Sequence, residues 1–271
     1  MHCRFEDRLA GRALRLDGLL ARIEARAAAE VGPALAAIDA ARRQGHWVAL
    51  LLDYELGEWL LPEATRPAPA GPWTPPRDDG AARLTALVFE RKIDEAPWDA
   101  PAADSAPAAL SIPAPRMLEA DYVRQVDAIR GLIADGELYQ VNYTQPLDLQ
   151  YQGDAATLYR RIAARNPVAH AAFIQDGART VLSFSPELFV ARRGPQLTTR
   201  PMKGTAPRHP DPAEDARLGQ ALLASDKNRA ENLMIVDLLR NDLGRLAEPG
   251  SVKVDAPVSY THLRAHETRG N

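Results

Sequence analysis

Three short stretches of this chain hold side chains whose types and spacing can do chemistry. Lys203 lies in Arg200-Pro201-Met202-Lys203-Gly204-Thr205-Ala206-Pro207-Arg208, a turn bounded by proline and glycine that follows a strand pattern. An ordinary lysine has a pKa near 10.4, so only about one in 2,500 is neutral at pH 7. A nucleophilic amine needs that value brought down to roughly 7–8 by burial or nearby positive charge, a differential of about 4 kcal/mol. The alternative role for Lys203 is an anchor that only pairs with a substrate carboxylate. Glu187 follows Pro186 at the start of an apolar strand pattern. A carboxylic acid there can donate the proton that a departing hydroxyl needs, or it can be a solvated strand-end glutamate. Glu231 stands three residues after Asn228, which puts both on one face of a helix. Its carboxylate is a hard oxygen donor, and a surface i,i+4 partnership with Lys227 is the competing use.

These stretches, with Ser185-Pro186-Glu187-Leu188-Phe189 before the lysine and Lys227 through Arg245 after it (KNRAENLMIVDLLRNDLGR), resemble the chorismate-utilising enzymes. Within them the likeness is to the component I branch of the aminodeoxychorismate synthases. It spans about Met117 to Val258, with fainter similarity around Gly45 to Glu58.

The resemblance implies an α+β chain forming the N-terminal portion of a four-layer α/β/β/α fold around the substrate. It implies that Lys203 attacks the chorismate ring and displaces its 4-hydroxyl before ammonia displaces the lysine, with Glu187 as general acid. It further implies that Gly204 and Thr205 offer backbone N–H and hydroxyl groups to a chorismate carboxylate, and that Glu231 is a Mg²⁺ ligand. Some relatives have an acidic residue where Asn228 stands. Anthranilate synthases usually carry alanine at the position of Lys203. Isochorismate and salicylate synthases place a lysine base at the position of Gln140, and an amide cannot act as a base at neutral pH. Ammonia delivered by a glutamine amidotransferase subunit, a step toward p-aminobenzoate and folate, follows from the same likeness. Anthranilate synthase component I, or a non-catalytic fragment that binds the amidotransferase, remain the alternatives.

The elements that must position these residues are legible in part. The segment Gly18 to Arg43 has helical propensity, interrupted at Gly32-Pro33. His46 to Leu52 and Arg83 to Phe89 read as strands. Pro62 to Pro76 holds six prolines in fifteen residues, and Asp94 to Pro115 is similarly rich in Pro and Ala, so both read as irregular loops. Tyr122, Val126, Ile129 and Ile133 recur at helical spacing up to Asp135-Gly136. Leu138 to Leu147 is expected as a strand, Ala155 to Ala164 as a helix, and Ala171 to Gln175 with Thr180 to Phe184 as strands about Asp176-Gly177. A hairpin over Glu187 to Arg192 and Gln196 to Thr199 follows, then helices over Pro212 to Leu223 and Asp226 to Leu246. Arg240, Asn241 and Asp242 are expected to lock the last helix to its neighbours. The domain reading is an N-terminal lobe over 1–115, the first part of a catalytic domain over 116–258, and a tail over 259–271.

Bulk properties narrow the class. The 271 residues are 46% hydrophobic and 25% charged, with a net charge of −3, so nothing favours nucleic acid or an anionic membrane. The longest apolar run, Trp47 to Leu52, is far short of a membrane span, and the N-terminus lacks a signal-peptide h-region. One cysteine, Cys3, excludes an internal disulfide and fits a cytoplasmic location; it reads as an incidental terminal residue. The tail from Ser259 to Asn271 does not continue the family pattern, so the chain reads as C-terminally truncated and the tail as artefactual. His262 and His266 are therefore not taken as metal ligands. A chain lacking the rest of such a fold is expected to show little activity and to aggregate.

Overall fold

The computed structural model describes residues 2–62, 80–102, 108–207 and 209–255. Most of the Pro62 to Pro76 loop, the 259–271 tail, His262 and His266 lie outside the described residues.

A six-stranded antiparallel sheet organises the chain. Its strands are β1 (Cys3–Asp7), β2 (Arg12–Ala25), β3 (Trp47–Leu52), β4 (Leu84–Glu95), β9 (His170–Asp176) and β10 (Arg179–Ser185), in the spatial order β10-β9-β1-β2-β4-β3. Two-residue bridges pair β5 (Ala109–Leu110) with β8 (Tyr151–Gln152), and β6 (Ala114–Pro115) with β7 (Leu147–Asp148). A separate hairpin joins β11 (Leu188–Arg193) to β12 (Gln196–Arg200). The helices of two turns or more are α1 (Ala28–Arg43), α3 (Glu119–Ala134), α4 (Ala155–Arg165), α5 (Pro212–Ala224) and α6 (Asp226–Gly244); α2 (Gly57–Leu60) is a single turn.

Strand periodicity explains how one sheet supports separate apolar clusters, because successive side chains point to opposite faces. In β4, Leu84 and Ala86 pack with Val31, Ala34 and Ile38 of α1, whereas Leu87 and Phe89 join Cys3, Leu16, Ala49, Ala172 and Ile174. In β9, Ala172 and Ile174 serve that second cluster, while Ala171 and Phe173 pack with Tyr159 and Ala163 of α4. Trp98 closes the third cluster, with its ring 5.4 Å from Phe173 and 5.9 Å from Tyr159.

β1 divides its side chains the same way. Cys3 and Phe5 enter the apolar cluster, and Arg4 and Glu6 turn to the face that holds Trp98. Glu6 Oε1 accepts from Arg4 Nε at 2.7 Å and from the Trp98 N–H at 2.8 Å, and Oε2 accepts from Arg8 at 2.7 Å. Arg4 also donates to Glu95 and to the Ala96 carbonyl. Burial alone would raise the Glu6 pKa, but these donors outweigh it and hold the carboxyl below its ordinary value. Burial pushes the Cys3 thiol up to about 12.

Four sequence expectations need correction. Gly18 to Ala25 is strand, with Leu19 to Ala25 paired to Leu84 to Phe89 of β4, because its apolar residues find a partner strand that outweighs their helical propensity. Pro33 lies inside α1 without ending it: it forgoes the bond to the Ala29 carbonyl, and the packing of Val31, Ala34 and Ile38 on the sheet holds the helix through it. Cys3 is a core residue, fully buried. The Leu138 to Leu147 segment forms no strand apart from its last residue, which starts β7. The remaining elements from Glu119 onward follow the expected boundaries closely, including the end of α3 at Asp135-Gly136.

Candidate active site

The candidate residues are carried by the hairpin, the turn after it and the start of α6. β10 ends at Ser185, whose hydroxyl accepts from the Glu187 N–H at 3.3 Å and donates to the Glu187 carbonyl at 3.1 Å. That local closure, with the fixed φ of Pro186, sets Glu187 at the entry of β11. β11 and β12 pair from Leu188↔Arg200 to Arg193↔Gln196, with a register shift between Leu188 and Ala191. The pairing returns the chain to Glu187 just before Lys203.

There the Met202 N–H donates to Glu187 Oε1 at 2.9 Å. The candidate acid is thus tied to the residue that precedes the candidate nucleophile. Lys203 itself is half-buried and Glu187 exposed.

The next residue, Gly204, adopts a left-handed conformation with φ +78°. A Cβ at that position would lie 3.0 Å from Asn228 Cγ and 3.3 Å from Asn228 Cβ and Nδ2. Position 204 therefore disfavours a side chain by its conformation, and a Cβ there would also crowd Asn228. Thr205 follows on the exposed side of the turn.

α6 begins at a serine cap: Ser225 Oγ accepts from the Asn228 N–H at 3.4 Å. The structure brings Lys203, Gly204, Glu187 and Asn228 into one neighbourhood through these two contacts. Glu231 is one turn further along α6, half-buried, with Lys227 Nζ 3.9 Å from its carboxylate. That pair is long and its lysine is largely exposed, so it leaves the carboxylate available.

Mg²⁺ commonly binds through one or two protein carboxylates, with substrate and water completing the shell. Glu231 fits as one such ligand. Among the described residues, no three His, Cys, Asp or Glu side chains gather as a metal centre. Arg240 pairs with Asp237 within α6 at 3.1 Å, so its recorded ion pair is intrahelical, where a lock to neighbouring elements was expected. Asn232 is the buried residue on this helix. The role of Asn228 beside Gly204 was not legible in the sequence; the only available signal was a glycine directly after the lysine.

No helix among the described residues is long and apolar enough to cross a membrane. The model of the chorismate binding enzyme family matches residues 20–264, beyond the Met117 to Val258 stretch that the motifs span. Aminodeoxychorismate synthase component 1 of Klebsiella aerogenes is 47% identical over 133 residues, covering 49% of this chain and 30% of that protein. Anthranilate synthase component 1 of Streptomyces coelicolor is 42% identical over 188 residues, covering 66% of this chain and 36% of that protein. The chain thus covers about a third of the length of these two curated relatives. The crystal structure of anthranilate synthase component I from Streptococcus pneumoniae superposes with a TM-score of 0.57 at 22% identity, over 74% of this chain and 50% of that one, and shows the shared fold.

Proposed function

Because the chain belongs to the chorismate binding enzyme family, we propose that its protein acts as an aminodeoxychorismate synthase component I, converting chorismate and ammonia to 4-amino-4-deoxychorismate. The observation that supports this most is the hydrogen bond from the Met202 N–H to Glu187, which ties a candidate acid to the residue before Lys203. Lys203 Nζ forms a C–N bond to the ring as the C–O bond to the 4-hydroxyl breaks, and Glu187 supplies the proton that lets the hydroxyl leave as water. Ammonia then forms its own C–N bond, and the lysine leaves as free amine. Gly204 and Thr205 would bind a chorismate carboxylate through N–H and hydroxyl groups. Glu231 would hold Mg²⁺, which when bound supplies positive charge to a substrate carboxylate. A glutamine amidotransferase subunit is the proposed ammonia source and the cytoplasm the proposed location.

The test is mass analysis of the Lys203-containing peptide after incubation with chorismate in the absence of ammonia. The expected result is an adduct of chorismate less one water, absent in Lys203→Ala, and loss of ammonia-dependent product by at least about 100-fold in that variant. A second reading, anthranilate synthase component I, is favoured by the longer match to the Streptomyces coelicolor protein. Anthranilate formation that survives Lys203→Ala, with no adduct, would establish that reading and defeat the first.

A further inference from the structure

Lysine carries a long flexible side chain, so the precision with which its amine is presented depends on how firmly its backbone is held. The two residues flanking Lys203 are each held by something different. Met202 is fixed through its N–H on Glu187. Gly204 has no side chain to hold it, yet it lies in a left-handed conformation against Asn228, where a Cβ would press within 3.0 Å of Asn228 Cγ. Asn228 stands in the first turn of α6, where the Ser225 cap holds its own N–H. The capped helix start, the close contact and the left-handed turn are continuous.

We propose that Asn228 is a positioning residue for Lys203: its side chain seats the Gly204 turn and so fixes the direction in which the preceding lysine is presented. The inference deepens the reading of Lys203 as the reacting amine and rests on it. It assigns Asn228 a role in shape where the sequence likeness suggested only a metal-side position.

The chain has four lysines, Lys92, Lys203, Lys227 and Lys253. Reductive ¹³C-methylation gives each an NMR signal, and Lys203→Arg assigns the one of interest. The expected result is that Asn228→Ala shifts or broadens the Lys203 signal while Lys92, held in β4 over the Trp47 ring, stays in place as a report that the sheet is folded. In unmodified protein, Asn228→Ala lowers kcat by about 10- to 100-fold with KM changed less than about threefold, and Gly204→Ala lowers kcat by about 10- to 100-fold. The double variant loses no more than the worse single, since both break one contact.

An unmoved Lys203 signal in Asn228→Ala, or losses that multiply in the double variant, would overturn the proposal. A moved signal without any chorismate adduct would leave Asn228 as the seat of the turn and remove the nucleophile reading instead.

Discussion

The six-stranded sheet and the region that carries Lys203 spend their apolar residues in opposite ways. Among the described residues, every buried apolar side chain lies between Cys3 and Phe89 or between Tyr159 and Ile174. α3, the bridge strands, the hairpin and α6 contribute none. There the large apolar groups face outward: Phe189 and Tyr139 are each 81% exposed, and Leu246 77%. The sheet is held by three packed clusters and a buried charge network, whereas the candidate site is held by a few local hydrogen bonds and caps. A site with so little burial around it belongs to the low-stability end of the molecule. What orders it is backbone geometry, which explains why the contacts at Met202 and Gly204 matter more than any core residue nearby.

The comparison is sharpest in the core. Phe89→Ala is expected to cost about 3–5 kcal/mol in urea unfolding followed by the fluorescence of partly buried Trp98, because it opens a cavity in a closed cluster. Leu238→Ala, on the outward side of α6, is expected to change the same transition by less than about 0.5 kcal/mol. Equal losses at the two positions would mean that the site region has a core of its own.

Charge gives the next contrast. Glu6 has a folded pKa below its unfolded value near 4.3. Its contribution is therefore complete above that unfolded value and is lost as pH falls through the folded one. Glu6→Ala leaves Arg4 and Arg8 facing a buried gap, at a cost of about 3 kcal/mol at neutral pH, and removes this acid limb from the stability curve. A stability curve of unchanged shape below pH 4 in the variant would show that the network is not what acid breaks.

The smallest expected effect compares like with like. Asp154 caps α4, accepting from the Thr157 N–H at 2.7 Å, and Asp211 caps α5, accepting from the Ala213 N–H at 2.9 Å. Alanine at 154 is expected to lower global stability by about 1 kcal/mol, since α4 packs on the sheet. Alanine at 211 is expected to speed amide exchange in α5 alone and leave the main transition in place.

The same division governed what the sequence disclosed. From Glu119 onward, helix spacing, turn dipeptides and the Pro186 and Pro212 starts are local signals that set the element boundaries, even where α4 and β9 go on to pack in the core. In the sheet, non-local pairing outweighed local preference. Gly18 to Ala25 carries helix-forming alanine, leucine and arginine, yet β4 recruits it as a strand. Cys3 gave no sign of core burial because the strands that cover it come from Leu16 and Ile174. At the site, residue types named Lys203, Glu187 and Glu231, but the Gly204–Asn228 contact depends on how a turn meets a helix, which no spacing rule encodes.

The placement of β1 has a consequence for how the protein is made. Its residues leave the ribosome shortly before those of β2, which can pair with them at once. Their second neighbour, β9, is not synthesised until Ile174 is reached. At about 5–20 residues per second, the other edge of β1 waits roughly ten to thirty seconds with its amides and Cys3 uncovered. A chaperone is therefore expected to hold the β1–β2 segment of the nascent chain until residue 174 emerges, whatever the finished molecule goes on to bind.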